Sequence, residues 1–106
     1  MVFKSKAFEV VVTEECISNI TDIYDYISFE LKENAIAKQL FKEVKKKIIN
    51  LAYFPNMYVK IGKVDKLNRN YHRMVINNYI VLYTIDYKNK KVFVSHMVYG
   101  KRNYLI

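Results

Sequence analysis

The apolar residues of this chain follow two different spacings along its length. Between Thr13 and Pro55 they recur every three or four positions, and from Tyr71 onward they recur every second position. The first spacing is that of an amphipathic helix, and the second is that of a half-buried strand. Because each pattern occupies its own part of the chain, we expect two helices followed by antiparallel strands, which is an α+β fold.

The first part of the chain predicts two helices with a two-residue joint, which implies an antiparallel hairpin. The first helix covers residues 14–32 after an N-cap at Thr13, and the second follows a cap at Asn34 and must end before Pro55. The apolar stripe of the first helix is Ile17, Ile20, Tyr24, Ile27 and Leu31. The stripe of the second is Ile36, Leu40, Val44, Ile48 and Leu51.

Four strands are predicted around this hairpin. Asn77 and Asn78 tolerate positive φ, so they suit a two-residue turn between the second and third strands. The predicted strands are residues 7–13, 71–76, 79–87 and 91–99. Residues 1–106 then form a single domain with an N-terminal strand, an antiparallel helical hairpin and a three-stranded antiparallel meander. We expect both helices to lie on one face of the sheet.

The turn at Asn77 and Asn78 also determines the register of the hairpin, in which Arg73 lies opposite Leu82. We assign to the helices the more apolar face, which holds His72, Met74, Ile76, Tyr79, Val81, Tyr83 and Ile85. The centre of the other face is also apolar, with Val75, Ile80 and Leu82. A solvated face would not need these side chains, so we expect something to cover them.

Composition excludes several classes of site. The two glycines, Gly62 and Gly100, stand apart, so neither a nucleotide-phosphate loop nor a dinucleotide-binding loop can form. Cys16 is the only cysteine, so we expect a reduced protein with no zinc site, no other metal and no cofactor. The N-terminus has no signal-peptide core and no stretch is apolar enough for a membrane span. We therefore expect a cytoplasmic protein that does not bind membranes.

The positive charge of the chain lies in its second half. Residues 1–54 contain eight lysines and eight acidic residues, whereas residues 55–106 contain ten Lys and Arg residues and two acidic ones. Seven of the ten tyrosines also lie in the second half. Such a cationic and aromatic region is typical of a surface for a phosphate-rich or acidic partner, although a basic surface that only confers solubility has the same composition.

Three separated segments carry a family resemblance. They are IYDYISFELKENAIAKQLFKEVKKKIINLAYFP, YHRMVINNYIVLYTID and VSHMVYGKRNY. In this order they resemble the RelE/ParE superfamily of toxins from bacterial type II toxin-antitoxin modules, over nearly the whole chain from about Phe8. The resemblance implies a β-α-α-β-β-β fold and a growth-arresting toxin that a cognate antitoxin holds inactive. RelE-like members cut messenger RNA in the ribosome, whereas ParE-like members block DNA gyrase.

The same resemblance implies the residues of a site. Arg102 falls on the superfamily's C-terminal arginine and would clamp a phosphate. Arg73 lies within one residue of a basic strand position in RNA-cleaving relatives, and Tyr104 lies two positions before the C-terminal tyrosine of some relatives. His96 is a further candidate, since those relatives use aromatic or histidine groups near the C-terminus. The main departure is Ile80, at the position where RNA-cleaving members usually have a catalytic arginine.

Three functions remain open at this point. The first is a ribosome-dependent endoribonuclease (an mRNA interferase), which needs a base for the ribose 2′-hydroxyl, cations for the phosphate and an acid for the leaving oxygen. The second is a non-enzymatic inhibitor that binds DNA gyrase through the helical hairpin and the C-terminal tail. The third is a relative that has lost its activity and serves mainly as an antitoxin-bound partner. We prefer messenger-RNA cleavage, because the positive charge lies on the sheet and tail and the hairpin is nearly neutral overall.

Overall fold

A computed structural model of the chain describes residues 1–3, 7–63 and 70–100. The helices are α1 (Glu14–Asp25) and α2 (Asn34–Asn50), and a π-helical segment, Tyr26–Glu30, continues α1. The strands are β1 (Val2–Phe3), β2 (Glu9–Val12), β3 (Val59–Lys63), β4 (Asn70–Ile76), β5 (Tyr79–Asp86) and β6 (Lys91–Tyr99). The predicted α+β class and the predicted order of a strand, two helices and antiparallel strands are confirmed.

The described strands form one sheet in the order β1-β2-β6-β5-β4-β3. β2 runs parallel to β6, and the other neighbouring strands are antiparallel. The predicted meander is the part formed by β4, β5 and β6. The edge strands β1 and β3 are not in the prediction, because β1 is two residues long and β3 has only Val59 and Ile61 as large apolar residues, too few to establish a period.

The two helices cover one face of the sheet, and the main core lies between them. The helical residues buried there are Cys16, Ile27, Ala37, Leu40, Val44 and Ile48. The buried strand residues include Val10, Val12, Met74, Ile76, Val81, Tyr83, Val92, Val94 and Met97. Burial of a large apolar side chain contributes about 1.5–3 kcal/mol, so this interface holds the helices on the sheet. The face assigned to the helices is confirmed.

The start of α1 is the predicted one, but its end is different. Oγ1 of Thr13 accepts a hydrogen bond from the backbone N–H of Cys16 at 3.1 Å, which satisfies a free donor of the first turn. The α-helix ends at Asp25 instead of continuing to residue 32, because the chain widens into the π-helical segment. Lys32 then redirects the chain with a φ of 55°.

Asn34 does not cap α2, which corrects the prediction. Glu33 occupies the N-cap position without a side-chain hydrogen bond, and Asn34 is the first residue of the helix. Oδ1 of Asn34 instead accepts a hydrogen bond from the hydroxyl of buried Ser28, in the π-helical segment. The asparagine therefore links the two arms of the hairpin, because Ser28 competes for the oxygen that would otherwise cap the helix.

The turn between β4 and β5 matches the prediction. Asn77 has a φ of 53°, in the left-handed region that asparagine tolerates. Ile76 pairs with Tyr79 and Arg73 pairs with Leu82, as the two-residue turn requires. The alternation of side chains along both strands therefore follows the predicted faces.

An extra residue in β6 changes which side chains face outward. Leu82 pairs with His96, but its neighbour Tyr83 pairs with Val94, so Ser95 has no partner on β5. Because side chains alternate along a strand, one extra residue moves the following residues to the other face. This β-bulge places His96 on the same face as Leu82 and Arg73.

Candidate functional site

Two of the predicted site residues lie on the face of the sheet turned away from the helices, called the open face below. Arg73 on β4 and His96 on β6 both pair with Leu82 on β5, so the three residues form a row across the sheet. Since neighbouring strands lie about 4.8 Å apart, the α-carbons of Arg73 and His96 are about 10 Å apart. The two side chains therefore flank Leu82 on the same face of the sheet.

Arg73 brings a cationic group to this row. The residue is half-buried, and its buried Nε has no hydrogen-bond acceptor among the residues that the structure describes. A guanidinium stays charged at physiological pH and matches the geometry of carboxylate and phosphate oxygens. The open face therefore offers a cationic group that an anionic ligand can satisfy.

His96 is held between a helix and a strand. Its Nδ1 lies 3.5 Å from Oε1 of Glu15, and its ring centre lies 6.3 Å from that of Tyr71. The side chain is buried, with 8% of the residue exposed. An adjacent carboxylate can orient an imidazole, which is an arrangement that a general acid or base uses.

Glu15 is the site residue that the sequence analysis missed. The backbone N–H of Thr13 donates to the carbonyl of Val94 at 3.0 Å, and its hydroxyl donates to the carbonyl of Ser95 at 3.1 Å. These bonds hold the first turn of α1 beside the bulge, so Glu15 meets His96. From the sequence, Glu15 could be identified only as an acidic residue in the first turn of a helix, where acidic residues are favoured. Its role depends on a contact between segments 82 positions apart.

The centre of the open face is apolar and closed. Tyr71 and Leu82 have no exposed surface, and Ile80 is 6% exposed. The partly buried residues packed against this cluster are Ile61 and Val98. Ile80 and Leu82 are therefore buried, as the prediction requires, whereas Val75 stays 50% exposed.

His72 lies on the helix-covered face, as predicted. Its ring stacks on that of Tyr83 with centres 5.1 Å apart, and Lys60 on β3 is its pairing partner. Burial, and then the positive charge of Lys60, lower the pKa of His72. His72 is therefore a packing residue of the sheet and is separated from the Arg73 row by the sheet itself.

The other two predicted site residues, Arg102 and Tyr104, lie outside the described residues, so their roles stay predictions. Gly100 is the last described residue before them. Its N–H donates to the carbonyl of Asn78 at 2.7 Å, and a β-carbon at this position would lie 2.9 Å from the same oxygen. Glycine is therefore required for β6 to end against the β4–β5 turn.

Comparison with known protein families decides the identity of the fold. The family model of the ParE toxin of type II toxin-antitoxin systems (parDE) matches residues 10–104, from β2 through all later elements. The chain belongs to the ParE toxin family. No curated protein matches it in sequence.

Two solved structures share the fold of this ParE-family toxin. A chain of the chromosomal ParDE toxin-antitoxin system from P. aeruginosa has a TM-score of 0.70 at 11% identity, and the match covers 92% of this chain and 100% of that one. A chain of the archaeal RelE-RelB complex from Pyrococcus horikoshii OT3 has a TM-score of 0.55 at 13% identity, covering 92% and 99%. At such low identity the likeness shows the fold alone. The predicted RelE/ParE resemblance is thus confirmed for family and fold.

The ParE-family toxin exposes apolar side chains where its two helices join. We call Tyr26, Phe29, Leu31 and Ile36 the hairpin tip. All four are exposed, and Phe29 is 71% exposed. Leu31 and Ile36 were assigned to the apolar stripes, and this is wrong. The wider turn of the π-helical segment means that Leu31 no longer has the three-or-four-residue spacing of the apolar stripe. Ile36 lies in the first turn of α2, and the first residue of that helix to be buried is the next one, Ala37.

Two kinds of site are not found in the described ranges of this ParE-family toxin. His, Cys, Asp and Glu residues do not form a group of three or more that could hold a metal ion in this part of the chain. Neither α1 nor α2 has the length and apolarity that a membrane-crossing helix requires.

Proposed function

We propose that this toxin arrests growth by binding and inhibiting DNA gyrase, without cutting nucleic acid, and that a cognate antitoxin neutralises it. The observation that supports this most is the closed apolar centre of the open face. RNA cleavage needs several donors around the reacting phosphate. In the described part of the chain Arg73 is the one arginine, and it lies beside a small apolar core.

Ile80 accounts for most of this difference. In the RNA-cleaving relatives that the sequence resembles, a catalytic arginine usually occupies its position. Here the side chain is buried with Tyr71 and Leu82, so it contributes to packing. Loss of one donor of this kind typically lowers a rate ~100-fold or more.

The hairpin tip supports contact with a protein instead. Contiguous exposed apolar side chains are typical of protein-protein contact surfaces, and aromatic residues are enriched where such surfaces bind most strongly. Phe29 projects from the π-helical segment and is the most exposed large apolar residue of the described chain. A surface of this kind suits a protein target better than a phosphodiester.

An antitoxin partner is supported by the two solved structures, since both come from toxin-antitoxin systems. α2 offers an exposed cationic surface with Lys38, Lys42, Lys45 and Lys46. Such a surface would attract an acidic antitoxin segment and leave the hairpin tip for the target.

The proposal is tested by giving the purified toxin both targets. We expect it to stop supercoiling of relaxed plasmid by purified gyrase, and to leave transcripts intact in a cell-free translation reaction. New transcript ends together with normal supercoiling would contradict the proposal and favour the endoribonuclease.

A matched pair of phenylalanines tests whether the hairpin tip is the contact surface for gyrase. Phe29→Ala should weaken gyrase inhibition about tenfold, which corresponds to loss of one important interface side chain. Phe54→Ala removes the same side chain from a similarly exposed position beyond α2 and should leave inhibition unchanged. Equal effects of the two substitutions would show that the tip is not the contact.

Messenger-RNA cleavage is the second candidate, because the Arg73 row also carries His96 and its partner Glu15. If it is the activity, Arg73→Ala and Arg102→Ala should each abolish growth arrest at equal protein levels. Under the gyrase proposal Arg73→Ala should retain inhibition of supercoiling. Retention of toxicity by both variants would exclude the predicted catalytic site.

A further inference from the structure

A large cleft lies on the helix-covered side of the sheet, beside the hairpin tip. Its volume is about 710 Å³, and it separates α1 from the ends of β5 and β6. The polar and aromatic residues that line it are Asn19, Asp22, Tyr26, Tyr79 and Tyr99. Asp22 is the one charged residue in the described lining.

Three tyrosines converge in this cleft. The rings of Tyr79 and Tyr99 meet edge to face with centres 5.8 Å apart. Burial, and then the nearby phenols of Tyr99 and Tyr26, raise the pKa of Tyr79. The three tyrosines therefore line one space, and aromatic rings attract a cation at short range.

The charge of the hairpin strengthens this preference. Between Glu14 and Glu33 the chain carries six acidic residues and one lysine, whereas α2 carries five lysines and one acidic residue. The hairpin is nearly neutral overall only because its two arms have opposite charges. The cleft lies against the acidic arm, so its surroundings attract positive charge although the whole protein is basic.

The edge of β6 runs beside the cleft. Among the described residues, strand pairing on this side of β6 ends at Val94. The N-cap residue Thr13 and Asn19 of α1 take the next two groups: the Thr13 hydroxyl donates to the carbonyl of Ser95, and Oδ1 of Asn19 accepts from the N–H of Met97 at 3.1 Å. Tyr99 lies two residues beyond Met97 on β6, so it has the same orientation in the strand as Met97, and it lines the cleft. An extended peptide that pairs with β6 would therefore do so at Tyr99, beside the cleft.

We propose that this cleft binds an arginine side chain carried by an extended segment of a partner protein. The guanidinium lies among Tyr26, Tyr79 and Tyr99 and pairs with the carboxylate of Asp22. Arginine fits better than lysine because its planar group stacks on aromatic rings and offers two parallel donors to one carboxylate. The site is separate from the open face and does not depend on whether the target is gyrase or RNA.

The test uses the full-length ¹⁵N-labelled toxin and two short peptides, acetyl-Val-Arg-Val-amide and the same peptide with citrulline. Citrulline keeps the shape of arginine and removes its charge. We expect the arginine peptide to shift the amide signals of Tyr26, Tyr79 and Tyr99, and to bind about tenfold more tightly than the citrulline peptide. Equal affinities, or no shifts at these tyrosines, would overturn the proposal.

Two acidic positions of α1 provide a matched control. Asp22→Asn should weaken the arginine peptide about fivefold and leave the citrulline peptide unchanged. Asp25→Asn removes the same charge from an exposed position outside the cleft and should change neither. If both substitutions weaken binding equally, the peptide is attracted by the general charge of α1 and the proposed site is wrong. Circular dichroism of each variant confirms that it is folded.

Discussion

The two faces of the central sheet bury their apolar side chains by different means. On the helix-covered face, Met74 and Val81 are buried in a core that α1 and α2 complete. On the open face, Tyr71 and Leu82 are equally buried in a much smaller cluster, with Arg73 beside it. The open face therefore contains a second, smaller core with polar residues at its border. These polar residues lie against apolar side chains, where electrostatic interactions are stronger than in water.

The largest expected effect tests whether the open face is a true core. Leu82→Ala should lower the free energy of unfolding by about 2–5 kcal/mol, because the leucine is fully buried. Val75→Ala, on the same face but half-exposed, should cost less than about 1 kcal/mol. Urea unfolding of both variants measures the difference. Similar small losses would show that the open face is solvated.

Gly100→Ala tests the close contact between the end of β6 and the β4–β5 turn. The added methyl group would lie 2.9 Å from the carbonyl of Asn78 and 3.6 Å from Cδ1 of Ile80. Since the first contact is with backbone, β6 or the turn must shift, and we expect a loss of about 1–3 kcal/mol in unfolding free energy. Thermal and urea unfolding would measure it. An unchanged stability would mean that β6 does not end against the turn.

His72 gives the helix-covered face a pH dependence. The folded protein holds the pKa of His72 below 6.5, so the unfolded chain binds the proton more readily. Neutral His72 therefore makes its full contribution to the free energy of unfolding above pH 6.5, and this contribution is lost as the pH falls below that value. His72→Phe keeps a ring against Tyr83 and removes the titration. Its stability should decline less than that of the parent between pH 7 and 5 in urea titrations, and parallel declines would contradict this.

The smallest effect concerns reactivity and leaves stability unchanged. Burial, and then the charge of Glu15, raise the pKa of Cys16 from 9.0 to about 12. Iodoacetamide should therefore label the folded toxin at pH 8 on the order of 100-fold more slowly than the urea-unfolded chain. Mass spectrometry of quenched samples measures both rates. Rapid labelling of the folded protein would show that the helix-covered core opens near α1.

Much of the fold could be predicted because it depends on local patterns. The bounds of β6 match the prediction, and the register of β4 and β5 follows from the two-residue turn at Asn77 and Asn78. The errors lie where a distant contact changes a local preference. Asn34 has the chemistry of a cap, but its oxygen binds Ser28 instead. Leu31 has helical spacing, but the π-helical segment turns it outward.

For the candidate site, the sequence alone was enough to place Arg73 on the open face, because alternation and one turn determine that face. It could not place His96, since the extra residue at Ser95 reverses the alternation only after β6 has paired with β5. Nor could it pair His96 with Glu15, because that contact requires β2 to lie parallel to a strand from the other end of the chain. Local periodicity thus determined the elements and their faces, and long-range strand pairing decided which charged groups meet.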